Sequence, residues 1–180
     1  MKIYKISSCD RFAVITPNYI GAMKKLSNPW ELLDAVEQNK SLKDLWVEHE
    51  GIVEKKKKPL ADICKASTGQ LVFSELTVKK IDKELSVYGE FLPMTYKERR
   101  YWLMNIQNSI PADGGNSISD RSDKDWFDKI TFKEKDIQNQ LLWTTPLDHN
   151  TQIFCSQRFI DLIEESGFKG LKFEESLAAT

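Results

Sequence analysis

Apolar and polar positions in residues 1–58 indicate two strands followed by a helix. Residues 2–6 and 12–16 are rich in β-branched and aromatic side chains, which favour strands. Asn28 is placed as a helix N-cap, and apolar residues then recur at helical spacing. Those residues are Trp30, Leu32, Leu33 and Val36. The pattern predicts a helix from Asn28 onward and a short helical piece over 41–46.

The later part of the chain contains one pattern twice. In each copy an apolar strand ends in a serine, a helix with one apolar face follows, and a glycine precedes a second strand. The strands are 71–74 and 90–94 in the first copy, and 153–156 and 171–173 in the second. Ser74 and Ser156 are placed as helix N-caps, because a serine hydroxyl accepts a hydrogen bond from a free N–H of the first turn. Gly167 is placed as the stop of the second helix.

Two such units predict an α+β fold. Further strands are expected at 101–103, 129–133 and 141–145, with a polar loop over 108–125. The length is typical of a single domain. We therefore expect one domain over 1–180, with a mixed or antiparallel sheet and two to four helices on one face. The polar loop is longer than most connections, which is typical of a functional or mobile segment.

The charge balance narrows the classes of partner. The 26 basic and 27 acidic residues leave a net charge of -1, whereas a nucleic-acid-binding protein normally has a clear positive surplus. No apolar run reaches the length of roughly 18 residues that a membrane-spanning helix needs. The N-terminus lacks the apolar region of a secretion signal, and Cys9, Cys64 and Cys155 are odd in number and far apart. We expect a cytoplasmic protein with reduced thiols that binds neither nucleic acid nor a membrane.

Residues that usually carry catalysis or bind metals are few. His49 and His149 each lie in a polar turn, and we expect both to be exposed to solvent. The histidines and cysteines do not have the spacing of a zinc site. The sequence therefore predicts no transition metal and no organic cofactor.

An acidic cluster in and just after the polar loop is the strongest candidate site. The cluster comprises Asp120, Asp123, Asp125 and Asp128. Its spacing is irregular, and Arg121 and Lys124 lie among the carboxylates, so a solvated loop, a contact surface for a protein and a metal site all stay open. Trp126 is either an interface anchor beside the cluster or a core residue. The remaining tryptophans, which we assign to the core, are Trp30, Trp46, Trp102 and Trp143.

Several motifs follow one another in order over residues 59–175. They are the strand that ends at Ser74, the Phe-Leu-Pro strand within 89–93, the Tyr-Trp-Leu strand at 101–103, the polar loop with Asp113 and Ser117, the strand-serine-helix segment at 153–160, and the Gly-x-x-Gly-Leu-x-Phe segment at 167–173. This order resembles a bacterial immunity-protein family found beside polymorphic toxins and type VI secretion effectors. Residues 1–58 form a less closely matched N-terminal part.

The resemblance implies a cytoplasmic protein, not an enzyme, that binds and blocks a cognate toxin encoded by an adjacent gene. Our hypothesis for the partner-binding residues is Asp120, Asp123, Asp125 and Trp126. Carboxylates in this loop would speed the encounter with a basic toxin surface, and the tryptophan would supply buried area. Two alternatives stay open: a small metal-assisted hydrolase that uses the carboxylates of Asp120 to Asp128, and a regulatory adaptor domain.

Overall fold

The computed structural model describes residues 1–54, 57–113, 118–119 and 127–176, and for 118–119 and 127–129 it describes the backbone. The α-helices are α1 (Tyr19–Met23), α2 (Pro29–Glu37), α3 (Glu75–Leu85), α4 (Glu134–Ile137) and α5 (Gln157–Glu165). The strands are β1 (Ile3–Ser8), β2 (Val14–Thr16), β3 (Ile52–Glu54), β4 (Ile63–Lys65), β5 (Gln70–Ser74), β6 (Gly89–Tyr96), β7 (Arg99–Ile106), β8 (Ile118–Ser119), β9 (Phe127–Lys129), β10 (Leu142–Trp143), β11 (Phe154–Ser156) and β12 (Leu171–Ser176). The α+β class is confirmed. The described part of the chain has five α-helices, whereas the sequence predicted two to four. The pattern missed α1 and α4 because they are too short for hydrophobic periodicity to reveal them.

The strands form two four-stranded antiparallel sheets and two short ribbons. The first sheet has the order β10-β11-β1-β12, and the second has the order β4-β5-β7-β6. The ribbons are β2 with β3 and β8 with β9. The predicted units therefore lie in separate sheets, whereas the sequence pattern predicted a single sheet.

Each predicted strand-serine-helix-strand unit is present, but a third strand separates its two strands. β5 and β6 both pair antiparallel with β7, so they run parallel to each other on its two sides. β11 and β12 flank β1 in the same way. In the second sheet the inserted strand is β7, which directly follows β6 in the chain. In the first sheet the inserted strand is β1, which comes from the N-terminus of the chain.

The helices of the two units, α3 and α5, pack into one shared core. The buried helix residues are Val78, Ile81 and Leu85 of α3 and Phe159, Ile160 and Ile163 of α5. Both apolar helix faces are therefore as the sequence predicted. Full burial of each such side chain contributes about 1.5–3 kcal/mol relative to exposure. The shared core holds the two sheets together on their inner faces.

The two serines that begin these helices differ in what their hydroxyls contact. Ser74 Oγ accepts a hydrogen bond from the Thr77 N–H at 3.3 Å, so the predicted cap is confirmed. Ser156 also occupies the N-cap position, but its buried Oγ has no hydrogen-bond partner among the described residues. The prediction that the Ser156 hydroxyl caps α5 is therefore wrong.

Glycines shape the connection from α5 to β12. Gly167 has a φ of +74° just after the helix, and its N–H donates to the Glu164 carbonyl at 2.9 Å, which confirms the predicted helix stop. Gly170 has a φ of +122°, and a Cβ there would collide with the Ile63 carbonyl oxygen and with Ala61. The first sheet thus approaches β4 of the second sheet at a position where only glycine fits.

Three predictions of local structure need correction. Residues 41–46 form a turn and no regular helix: the Leu45 N–H donates to the Leu42 carbonyl, while the Leu42 N–H and the Trp46 indole donate to β6. β9 ends at Lys129, and the predicted strand over 129–133 does not form beyond it. The loop predicted over 108–125 is packed against the protein at its start, where a solvent-exposed polar segment was expected. Ile110 is buried, and its N–H donates to the Thr144 carbonyl at 2.9 Å.

Candidate interaction surface

An N-terminal layer covers the outer face of the second sheet. It consists of α1, α2 and the β2–β3 ribbon, and its inward side chains join β4, β5, β6 and β7 in a second apolar core. Leu32 and Ala35 are the buried residues of α2. This layer places the remaining face of α2 in solvent.

α2 begins where the sequence predicts. Asn28 has an extended backbone at the N-cap position and Pro29 opens the helix, although the Asn28 side chain makes no capping bond. Spacing of four and seven residues places Trp30, Asp34 and Glu37 along one line of the helix, opposite its buried residues. We call these three residues the α2 outer face.

Large apolar side chains are exposed on this layer. The exposed fraction of Trp30 is 67%, and the fractions of Ile20 and Ile52 are 72% and 49%. Ile52 lies opposite Thr16 in the β2–β3 pair, and α1, which carries Ile20, begins at Tyr19 and contacts α2. Elements of this layer therefore leave three large apolar side chains about half exposed or more, and such side chains are available as interface anchors.

The charge on α2 is entirely negative. Its acidic residues are Glu31, Asp34 and Glu37, and its sequence contains no lysine or arginine. None of the three carboxylates forms an ion pair with another described residue. Glu31 in the first turn favours the helix, whereas Glu37 lies beside the carbonyl end, where a negative charge is unfavourable.

A polar network fixes the chain where it leaves α2. The Glu90 carboxylate accepts hydrogen bonds from the Leu42 N–H at 2.6 Å and from the Ser41 hydroxyl at 2.8 Å. Asn105 Nδ2 donates to Glu90 at 2.9 Å and to the Lys40 carbonyl, also at 2.9 Å. These bonds attach the segment after α2 to β6 and β7, so the helix has a fixed orientation on the sheet.

His49 is buried rather than exposed, which corrects the sequence prediction. Its exposed fraction is 5%, its Nδ1 lies 2.8 Å from the Val47 carbonyl, and its ring packs on Trp46 with the centroids 4.7 Å apart. Burial lowers the pKa of His49, so the neutral imidazole is favoured. His149 is exposed, as predicted.

Two clefts lie beside α3, but neither joins a nucleophile to a base. The cleft between α3 and β6 has a volume of about 530 Å³, with Phe91 and Trp102 among its lining residues. Glu75 at its rim is paired with Lys79 at 3.2 Å. The cleft at the start of α3 has a volume of about 520 Å³, and acidic side chains line it together with Arg99 and Arg100.

The cysteines differ in environment. The Arg11 backbone N–H and guanidinium lower the pKa of the partly exposed Cys9 thiol, whereas burial raises the pKa of Cys64 to about 11 and also raises that of Cys155. All three thiols are unbridged. Cys9 lies in a groove with Glu164, and no histidine lines that groove in the described part of the chain.

The predicted acidic site falls largely outside the part of the chain that the structure describes. Asp120, Asp123, Asp125 and Trp126 fall outside the described residues, and Asp128 is described only through the backbone of β9. Their role in partner binding therefore stays a prediction.

Among the tryptophans assigned to the core, one is misassigned. Trp143 is buried, and Trp46 and Trp102 pack against apolar clusters, as predicted. Trp30 is exposed, because it lies on the side of α2 that points away from the sheet. Its spacing to the acidic residues 34 and 37 was the signal that could have revealed this.

No protein-family model matches this chain, and no curated protein matches it. Within the described ranges, no helix combines the length and apolar character needed to cross a bilayer. In the same ranges, no three histidine, cysteine, aspartate or glutamate residues come together as metal ligands. Function is therefore inferred from the α2 surface and from the order of the sequence motifs.

Proposed function

We propose that this protein is a cytoplasmic immunity protein that binds a cognate bacterial toxin and blocks it. The observation that carries the proposal is the exposure of Trp30, Ile20 and Ile52 on adjacent elements of one layer. Exposed aromatic and aliphatic side chains of this size are the residues that protein interfaces bury as anchors. The order of motifs over residues 59–175, which resembles the immunity-protein family, supports the same class of function.

The shape of the surface favours a macromolecular partner over a small molecule. A small-molecule site encloses its ligand in a concave, mostly apolar pocket. Trp30 instead projects from the outward side of a helix that rests on a sheet. Complete burial of such a side chain against a partner would contribute about 2 kcal/mol or more to binding.

The two alternative functions make different demands. The hydrolase hypothesis depends on the carboxylates of Asp120 to Asp128, whose side chains lie outside the described part of the structure. A regulatory adaptor would use the same exposed surface as an immunity protein. The identity of the partner, and whether this protein binds the toxin directly, separate these last two functions.

Co-expression with the toxin encoded by the adjacent gene tests the proposal. Cells that make the toxin together with this protein are expected to grow, whereas cells with the toxin and an empty vector are expected to die. An unrelated toxin serves as the specificity control, and it should kill in both cases. Death at equal toxin levels with and without this protein would refute the immunity function.

A second measurement tests direct binding. An inactive variant of the same toxin, mixed with the purified protein, is expected to elute from size-exclusion chromatography as a stable complex. Protection without any complex would point to an adaptor that acts through another component, and it would contradict the proposed direct block.

A further inference from the structure

We infer that the α2 outer face docks onto a basic protein surface that offers an apolar pocket to Trp30. This inference rests on the proposed function and specifies the chemistry of the partner's surface. It concerns residues different from the acidic loop that the sequence singled out.

The geometry of α2 supplies the first argument. Trp30, Asp34 and Glu37 form one line along a nine-residue helix whose other side is buried. Trp30 is mostly exposed, and no described residue pairs with the two carboxylates. The face thus combines a large apolar side chain with two unpaired negative charges at a spacing that a single partner surface can span.

The second argument is that this charge pattern opposes the stability of the helix itself. Glu37 lies in the last turn of α2, where the helix dipole is negative and where no basic residue compensates. Asp34 lies one turn before it and adds like-charge repulsion. A lysine or arginine from a partner would reverse both effects. Features that break a local rule without internal compensation are expected at functional sites.

α5 provides a comparison within the same molecule. It has the same length as α2 and also ends in two carboxylates, Glu164 and Glu165, without a basic residue in its last turn. The apolar residues Phe159, Ile160 and Ile163 of α5 are buried, so no large exposed anchor accompanies its charges. The α2 outer face therefore differs from α5 in combining both features.

Charge complementarity selects the occupant. The phosphates of a nucleic acid would be repelled by the carboxylates. A second copy of this chain, docked about a two-fold axis, would place the same acidic face against itself. A protein with a basic surface is attracted instead, and Trp30 then becomes buried at the contact.

Binding kinetics with the inactive toxin of the adjacent gene test the inference. The double variant Asp34→Lys/Glu37→Lys is expected to slow association about tenfold at low salt, and the difference should shrink at high salt. Trp30→Ala is expected to speed dissociation about thirtyfold or more, with little change in association. Circular dichroism should show all variants folded, since the lysines favour the carbonyl end of α2.

Matched variants elsewhere on the molecule serve as controls. Glu164→Lys/Glu165→Lys makes the same change of charge at the end of α5, and Leu76→Ala removes a side chain of α3 that is 63% exposed. Both controls are expected to bind the toxin like the wild type. If the α5 variant slows association as much as the α2 variant, overall charge explains the effect and the inference is wrong.

The remaining outcomes separate the two proposals. If the wild-type protein does not bind the toxin, the proposed function fails. If the wild type binds and both α2 variants bind equally well, the proposed function stands and the inference about α2 is overturned. If Trp30→Ala converts a dimer into a monomer in sedimentation, the occupant is a second copy, and the inference is overturned as well.

Discussion

Ser74 and Ser156 stand at the same place in two equivalent units, yet alanine substitution is expected to affect stability very differently at the two sites. Ser74 Oγ caps α3 by accepting from the Thr77 N–H, and it also lies 2.7 Å from Thr77 Oγ1. Ser156 Oγ is buried without a partner among the described residues. The first substitution removes hydrogen bonds, and the second removes a polar atom that burial penalises.

The structure sets the expected magnitudes. Loss of a serine N-cap costs about 0.5–2 kcal/mol, and Ser74→Ala should fall in the upper half of this range because the buried Thr77 loses two contacts. An unsatisfied buried hydroxyl costs about 1–3 kcal/mol in mutational data. Ser156→Ala is therefore expected to be neutral or to stabilise the protein by up to about 1 kcal/mol.

Urea unfolding monitored by tryptophan fluorescence measures both effects. The unfolding midpoint should fall for Ser74→Ala and should stay or rise for Ser156→Ala, with an unchanged slope against urea. Threonine at position 74 is a useful control, since it retains a capping hydroxyl and should keep most of the stability. Equal losses at positions 74 and 156 would refute the reasoning, because they would mean that the Ser156 hydroxyl also caps its helix.

Three further predictions concern a buried histidine, a hairpin and two glycines. Burial lowers the pKa of His49 from 6.5, so the unfolded chain takes up the proton first and the wild type loses stability as the pH falls through that value. His49→Gln should flatten this loss in urea titrations across that pH range, and an unchanged slope would contradict the assignment. Glu98 has a φ of +64° in the β6–β7 turn, so Glu98→Gly should stabilise the protein by about 1 kcal/mol, and an unchanged melting temperature would count against strain there. Gly170→Ala should cost about 2–4 kcal/mol because its Cβ would meet the Ile63 carbonyl, whereas Gly167→Ala, with nothing within 4 Å, should cost about 1 kcal/mol; similar melting temperatures would refute the distinction.

The sequence predicts the repeated units well because their signals are local. An apolar strand, a serine, a helix with one apolar face and a glycine stop are all visible within about 20 residues of chain. α3 and α5 accordingly form where the pattern places them. The N-cap position of Ser156 follows from the same local pattern, but its hydroxyl has no hydrogen-bond partner among the described residues.

The sheet arrangement has no local signal. β1 is inserted between β11 and β12 although about 150 residues separate it from them in sequence, so no window of the chain contains the information. The same holds for His49, which sits in a polar stretch and is buried because that stretch runs along β6, where the Thr95 N–H donates to the His49 carbonyl at 3.1 Å. Distant pairing thus decides both the topology and the burial of this residue.

For the α2 outer face, too, local signals predict one part and distant contacts decide the other. The presence of α2 and its start are local and were predicted, whereas Trp30 was placed in one apolar stripe with Leu32, Leu33 and Val36. What the sequence does not contain is the direction of the sheet beneath the helix, which decides whether Trp30 faces a core or solvent. The hydrophobicity of Trp30 favoured a core position, but Leu32 and Ala35 are the residues of α2 that pack against the sheet. Because Trp30 faces away from the core of its own chain, it is available to a partner, and the carboxylates in line with it are the reason we propose a basic one.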